Sequence, residues 1–222
     1  LRIKALTQAA LIGLASAWLM VSATVPQPFS GFNNQIWREL RQTYPGWSVA
    51  RIASWERTIK RLQGKPLPQQ LEAVNDFFNA QLAYQTDAQL WQYEDYWATP
   101  FEALIVGAGD CEDYVIGKYM TLLLLGVDPE VLRLMYVDAP AWNQAHMVLI
   151  YIPEQGAPLV LDNLIEEIKP ANERTDLIPV YSFNAQGFWL AGEAGLGGEV
   201  VGHAGVPKWR AVLEKLPEGF NL

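Results

Sequence analysis

The sequence predicts an α+β fold with an antiparallel sheet. The first half of the chain spaces its apolar residues for helices, and the second half breaks into short β-rich runs divided by turn residues. Helices followed by strands, rather than alternating with them, favour an antiparallel sheet over a doubly wound parallel one. The composition supports a packed core: of 222 residues, 50% are apolar and 12% aromatic, too hydrophobic for a disordered chain.

The first segment reads as a targeting signal rather than part of that fold. Arg2 and Lys4 form a basic head, and Ala5 to Val21 is apolar apart from Thr7, Gln8 and Ser16. Val21-Ser22-Ala23 then supplies the small residues of a cleavage site. Residues 1–23 are therefore expected to be a signal peptide or a retained membrane anchor, and 24–222 a single domain. Its helical part is expected over about 30–126 and its sheet over about 131–190.

Three amphipathic helices open the domain. Phe32, Ile36, Trp37 and Leu40 share one face before the Pro45-Gly46 stop. Val49, Ile52, Ala53, Ile59 and Leu62 repeat the period up to Gly64, and Leu71, Val74, Phe77, Phe78 and Leu82 repeat it again. After the aromatic stretch Trp91 to Trp97, Thr99-Pro100-Phe101-Glu102 reads as a capping box with proline at the first helical position, the helix ending near Gly107. Asp110 then starts a helix that runs to Leu125 and stops at Gly126. Strands are expected at Val131 to Val137, Met147 to Ile152, Pro158 to Leu161, Leu177 to Phe183 and Phe188 to Leu190. Gly192 to Gly205 reads as a loop and Pro207 to Leu216 as a last helix.

Charge and cysteine count exclude several functions. A formal net charge of −8 argues against an electrostatic grip on nucleic acid or an anionic membrane. A single cysteine, Cys111, allows no internal disulfide, cysteine-based zinc finger or iron–sulfur cluster. A free thiol in an exported protein risks unwanted disulfides, so its presence calls for a reason.

Cys111 falls at a helix start, where the dipole favours thiolate and the first amides can bind an oxyanion. His146 falls at a strand start and Asp162 at the end of the next strand. If those strands form a hairpin, both residues lie at one end of it, giving nucleophile, base and orienting carboxylate in chain order. Singly, each fits an ordinary structural role. Together they occupy the three places a triad needs. His203, in the glycine-rich run, is a rival base without an evident carboxylate partner. Asp110, Glu112 and Asp113 surround the cysteine and oppose the dipole by raising a thiol pKa. They suit a hard, oxygen-loving cation such as calcium, and they equally suit capping of the helix. The Trp91 to Trp97 stretch reads first as packing and second as a groove wall or a support for the metal loop. The glycines at 195–198 lack a phosphate-binding helix motif.

Gly109-Asp110-Cys111-Glu112-Asp113-Tyr114, with Lys118-Tyr119 and Leu125-Gly126-Val127, resembles the nucleophile helix of the bacterial transglutaminase-like cysteine proteases. His146-Met147-Val148-Leu149 resembles their histidine strand, and Leu159-Val160-Leu161-Asp162-Asn163 their aspartate strand. Tyr96-Trp97-Ala98-Thr99-Pro100 and Arg174-Thr175-Asp176-Leu177 also match, so the likeness covers roughly Trp91 to Phe188. It implies a papain-like, transglutaminase-like fold and peptide hydrolysis through a thioester. Cys111 would be the nucleophile, His146 the general base and acid, and Asp162 the orienter of the imidazole. It also implies calcium held by Asp110, Glu112 and Asp113. The implied substrate is the N-terminal region of a large surface adhesin. The implied regulator is the periplasmic domain of an inner-membrane cyclic di-GMP receptor, which would sequester the protease. Two alternatives stand beside this: a transglutaminase or amidase acting on cell-wall peptides, and a non-catalytic periplasmic binding module.

Overall fold

The structure is a computed structural model that describes residues 28–190, 200–202 and 207–220. The expected signal segment and His203 lie outside the described residues. Among those described, no helix is long and apolar enough to cross a membrane.

Helices α1 (Asn34–Thr43), α2 (Gly46–Leu62) and α3 (Leu67–Gln81) form where the apolar period placed them. The Asn33 side chain caps α1 by accepting from the Ile36 N–H. Two short elements follow that carry no readable period: β1 (Ala83–Tyr84) and α4 (Asp87–Leu90). Helix α5 (Pro100–Val106) has the expected capping box, with the Thr99 hydroxyl accepting from the Glu102 N–H and the Glu102 carboxylate accepting from the Thr99 N–H. Gly107 ends it in the left-handed region at φ 79°, which favours glycine. Strand β2 (Ala108–Gly109) pairs in parallel with β1 and leads directly into α6 (Cys111–Leu124).

Among the described residues the main sheet has seven strands: β3 (Leu132–Ala139), β4 (Gln144–Tyr151), β5 (Leu159–Leu161), β6 (Lys169–Pro170), β7 (Ile178–Phe183), β8 (Phe188–Leu190) and β9 (Val200–Gly202). Their order is β6-β5-β4-β3-β7-β8-β9, and every neighbouring pair is antiparallel. The last helix is α7 (Pro207–Glu214). Strand β9 corrects the expectation of a loop throughout Gly192 to Gly205. Its Val-Val-Gly run is too short to show alternation, and its pairing with β8 defines it.

The helices cover one face of the sheet. Every residue of α6 from Asp113 to Leu122 is buried, because the helix lies between β4 on one side and α3 and α5 on the other. The Trp55 indole N–H on α2 donates to the Thr121 hydroxyl on α6 at 2.8 Å, so this deep ring keeps a partner. Met135, Val137, Val148, Ile150 and Val160 form a smaller core on the opposite face.

Gly117 on α6 lets the Phe78 ring of α3 approach closely. A Cβ at position 117 would lie 2.3 Å from that ring. Gly117→Ala is expected to destabilise the fold by about 1–3 kcal/mol despite alanine's better helix propensity. Urea unfolding should show a lower midpoint at an unchanged slope.

Candidate active site

The helix start and the β4–β5 hairpin converge on the residues singled out from the sequence. Asp110 caps α6, and Cys111 is its first residue. The Asp113 carboxylate accepts from the Asp110 N–H at 3.3 Å and from the Ala98 N–H at 2.7 Å. One buried acid thus ties the helix start to the segment before α5.

Leu149 pairs with Leu161 across β4 and β5, so His146 and Asp162 lie at the same end of this hairpin. His146 Nε2 is 2.7 Å from Asp162 Oδ1, and both side chains are fully buried. Asp162 Oδ1 also accepts from the N–H groups of Asn163 and Leu164, at 2.6 and 3.1 Å. Asp162 Oδ2 accepts from Arg174 Nη2 at 2.7 Å, and Arg174 in turn pairs with Asp176. Burial alone would raise the Asp162 carboxyl, but His146, the Leu164 N–H and Arg174 together lower it to about 2. An ionised Asp162 can only accept, so Nε2 carries the proton and Nδ1 presents its lone pair. Nδ1 is buried and has no hydrogen-bond partner of its own.

The Cys111 sulfur takes a hydrogen bond from the backbone N–H of Met147, next to His146, and donates to Glu112 Oε2 at 3.1 Å. Burial first, then Glu112 and Asp110, push the thiol well up. The Tyr84 hydroxyl lies near enough to be raised as well, by burial first and then by Cys111, Asp110 and Glu112.

The acidic cluster is larger than the three residues read from the sequence. Ligand-type atoms lie within 4.8 Å of one another in each of three sets: Asp110, Cys111 and Glu112; Asp87, Asp110 and Asp113; and Asp87, Asp95 and Glu112. Asp87 comes from α4 and Asp95 from the aromatic stretch. Neither has a local spacing signal that marks it. Asp87 Oδ1 and Asp110 Oδ1 are buried without hydrogen-bond partners. Burial, followed by Glu112 and Asp87, pushes Asp110 up to about 9. Two of the three sets are carboxylates alone, and such oxygen donors, crowded and partly unpaired, fit an oxygen-seeking divalent cation such as calcium.

In the Trp91 to Trp97 stretch Trp97 is buried and Trp91 and Tyr96 are half-buried, whereas the residues from Gln92 to Asp95, Tyr93 among them, are exposed. Trp91 and Tyr96 have ring centroids 4.7 Å apart, and Trp97 stacks on Phe183. Lys215 reaches in after α7, sits over the Tyr96 ring and donates to the Trp97 carbonyl.

Asp162 sets an acid limit on stability. Its pKa is lowered from the usual 3.8 to about 2. Its contribution, about 2 kcal/mol, is therefore present above pH 4 and lost as pH falls through about 2. Unfolding by urea at pH 5 and pH 2 should show a loss larger by about this amount in the wild type than in Asp162→Asn, since the lowered carboxyls of Glu102 and Asp176 remain in both.

A lone cysteine at a half-buried helix start, beside a hairpin carrying a hydrogen-bonded histidine–aspartate pair, is the architecture of papain-like cysteine hydrolases. Residues 52–191 match the model of the family described as bacterial transglutaminase-like cysteine proteinase BTLCP, and the chain belongs to that family. Its fold is similar to that of Legionella pneumophila LapG, at 42% identity and a TM-score of 0.69, over 81% of this chain and 95% of that one. An EGTA-treated structure of the same Legionella protein gives the same values. A calcium-bound structure of it matches at 42% identity and a TM-score of 0.68, over 81% of this chain and 97% of that one. No curated protein sequence matches.

Proposed function

We propose that this protein is a calcium-dependent periplasmic cysteine endopeptidase that cleaves the N-terminal region of a large surface adhesin, promoting biofilm dispersal. The observation that carries the catalytic part is the buried His146–Asp162 pair at 2.7 Å beside the helix start that bears Cys111. The cysteine proteinase family and the likeness to Legionella LapG support the reaction class.

In this reading His146 Nδ1 takes the Cys111 proton, and the sulfur attacks the scissile carbonyl carbon. The Cys111 backbone N–H, unpaired within the helix, faces the developing oxyanion. Protonated His146 then gives its proton to the leaving amine, leaving a thioester on Cys111. Water, deprotonated by His146, attacks the thioester and frees the new carboxylate. Asp162 stays ionised throughout and holds the ring in one tautomer. Asp110, Glu112 and Asp113, with Asp87, would hold calcium. Bound there, the cation offsets the negative charge that keeps the Cys111 thiol protonated. The calcium-bound Legionella LapG structure supports this assignment. The periplasmic domain of an inner-membrane cyclic di-GMP receptor is the proposed inhibitor.

The test is incubation with N-terminal fragments of large surface adhesins from the same cell, with calcium or with chelator. Calcium-dependent release of a defined fragment supports the reading. Incorporation of a labelled amine in place of hydrolysis would move the assignment to a transglutaminase.

A further inference from the structure

We propose that Lys118, with Asn75 and Asn79, forms a polar clamp that sets the position of Asp162 and, through it, of the His146 ring. The proposal rests on reading Cys111, His146 and Asp162 as one catalytic unit. Lys118 acts as a positioning residue and does not touch the reacting atoms.

The need for a clamp follows from the sheet. Strand β5 is three residues long, and its last ladder pair is Leu161 with Leu149. On its other side it pairs with β6 only at Leu159 and Val160. Asp162 therefore lies one residue beyond the ladder, and no strand pairing holds its main chain.

Side chains from two helices hold it instead. Lys118 Nζ donates to the Asp162 main-chain carbonyl at 3.0 Å and to Asn75 Oδ1 at 2.8 Å. Asn79 Nδ2 donates to the same carbonyl at 2.9 Å. Asn75 Nδ2 donates to the Glu166 carbonyl at 2.7 Å, tying the far end of the same loop. Asn75 and Asn79 are one turn apart on α3, so they share a face. Lys118 stands about two turns after Cys111 on α6, also on one face. The helix that carries the nucleophile thus also grips the backbone that carries the orienting acid.

A purely structural role explains Lys118 poorly. It is fully buried on a helix stretch, Tyr114 to Leu122, that is otherwise mostly apolar, and an ammonium loses its hydration there where a methionine of similar length would not. Burial pulls its pKa down to about 7, with Asp162 and Asp76 opposing the shift. The Tyr114 ring is 5.9 Å away and adds little.

The test uses the whole protein in calcium, with Lys118→Met and Asn79→Leu as variants. Two readouts report on the site itself. One is the downfield imidazole N–H proton resonance of His146, which hydrogen bonding to a buried carboxylate sharpens and solvent exchange broadens. The other is the rate of Cys111 alkylation by iodoacetamide at pH 7, which is unambiguous because Cys111 is the single cysteine. The clamp predicts a broadened or lost resonance and alkylation about tenfold slower in Lys118→Met, with a smaller change in Asn79→Leu. Asn79→Leu keeps the test decisive if Lys118→Met does not fold. A sharp resonance and wild-type alkylation in the folded variants, with only a lower melting temperature, overturn the clamp. Slow alkylation of the wild type itself counts against the catalytic reading, and the resonance still decides the clamp.

Discussion

Cys111→Ala is expected to abolish peptide cleavage, by roughly 10⁴-fold or more, while leaving the protein folded. The size follows from chemistry: alanine offers no atom that can form the thioester, and the His146–Asp162 pair alone has nothing to activate but water. The fold should tolerate the change, since Cys111 is only partly buried and belongs to the rim of the core. Loss of the Glu112 contact removes a thiol donor from an acid cluster that has few donors. A small shift of the melting temperature in either direction is therefore compatible, and a folding defect is not. Assays on the purified variant should show native circular dichroism with no cleavage product.

Removal of calcium is expected to have the second largest effect. Asp87, Asp110, Glu112 and Asp113 bring four carboxylates together at the start of α6, and one oxygen each of Asp87 and Asp110 lacks a hydrogen bond. Such a group repels itself until a cation joins it. With calcium at about 100 times its dissociation constant the fold gains about 2.7 kcal/mol, or roughly 5–10 °C in melting temperature. EGTA should remove that gain and cleavage together. Asp87→Asn and Asp110→Asn should melt higher than wild type in EGTA, because each relieves repulsion, and should respond less to calcium. Identical melting curves and full activity in calcium and in excess EGTA would contradict this account.

Capping chemistry made the site's scaffold legible. Thr99-Pro100 through Gly107 and Asp110 through Gly126 bracket α5 and α6 because their signals are local and need no tertiary context. The strand end before Asp162 followed from turn residues in the same way, whereas β4 begins at Gln144, so His146 is its third residue rather than its first. What stayed hidden depends on distant contacts. Strands β1 and β2 have two residues each, too few for any period, yet their pairing sets the approach to Cys111. Asp87 joins the acid cluster only because α4 folds back over the helix start. Arg174 fell within a motif resembling the family, but its grip on Asp162 Oδ2 is visible only in three dimensions. Lys118 was equally hidden: a lysine inside an apolar helix ordinarily reads as exposed.

The most direct test of the central claim, that Cys111 carries the chemistry through a thioester, is intact-mass analysis of the enzyme quenched during cleavage of an adhesin N-terminal fragment. The predicted result is a covalent adduct of the amino-terminal product on Cys111, released by neutral hydroxylamine and absent from Cys111→Ala, which cleaves nothing. Cleavage by Cys111→Ala at the wild-type rate would contradict it.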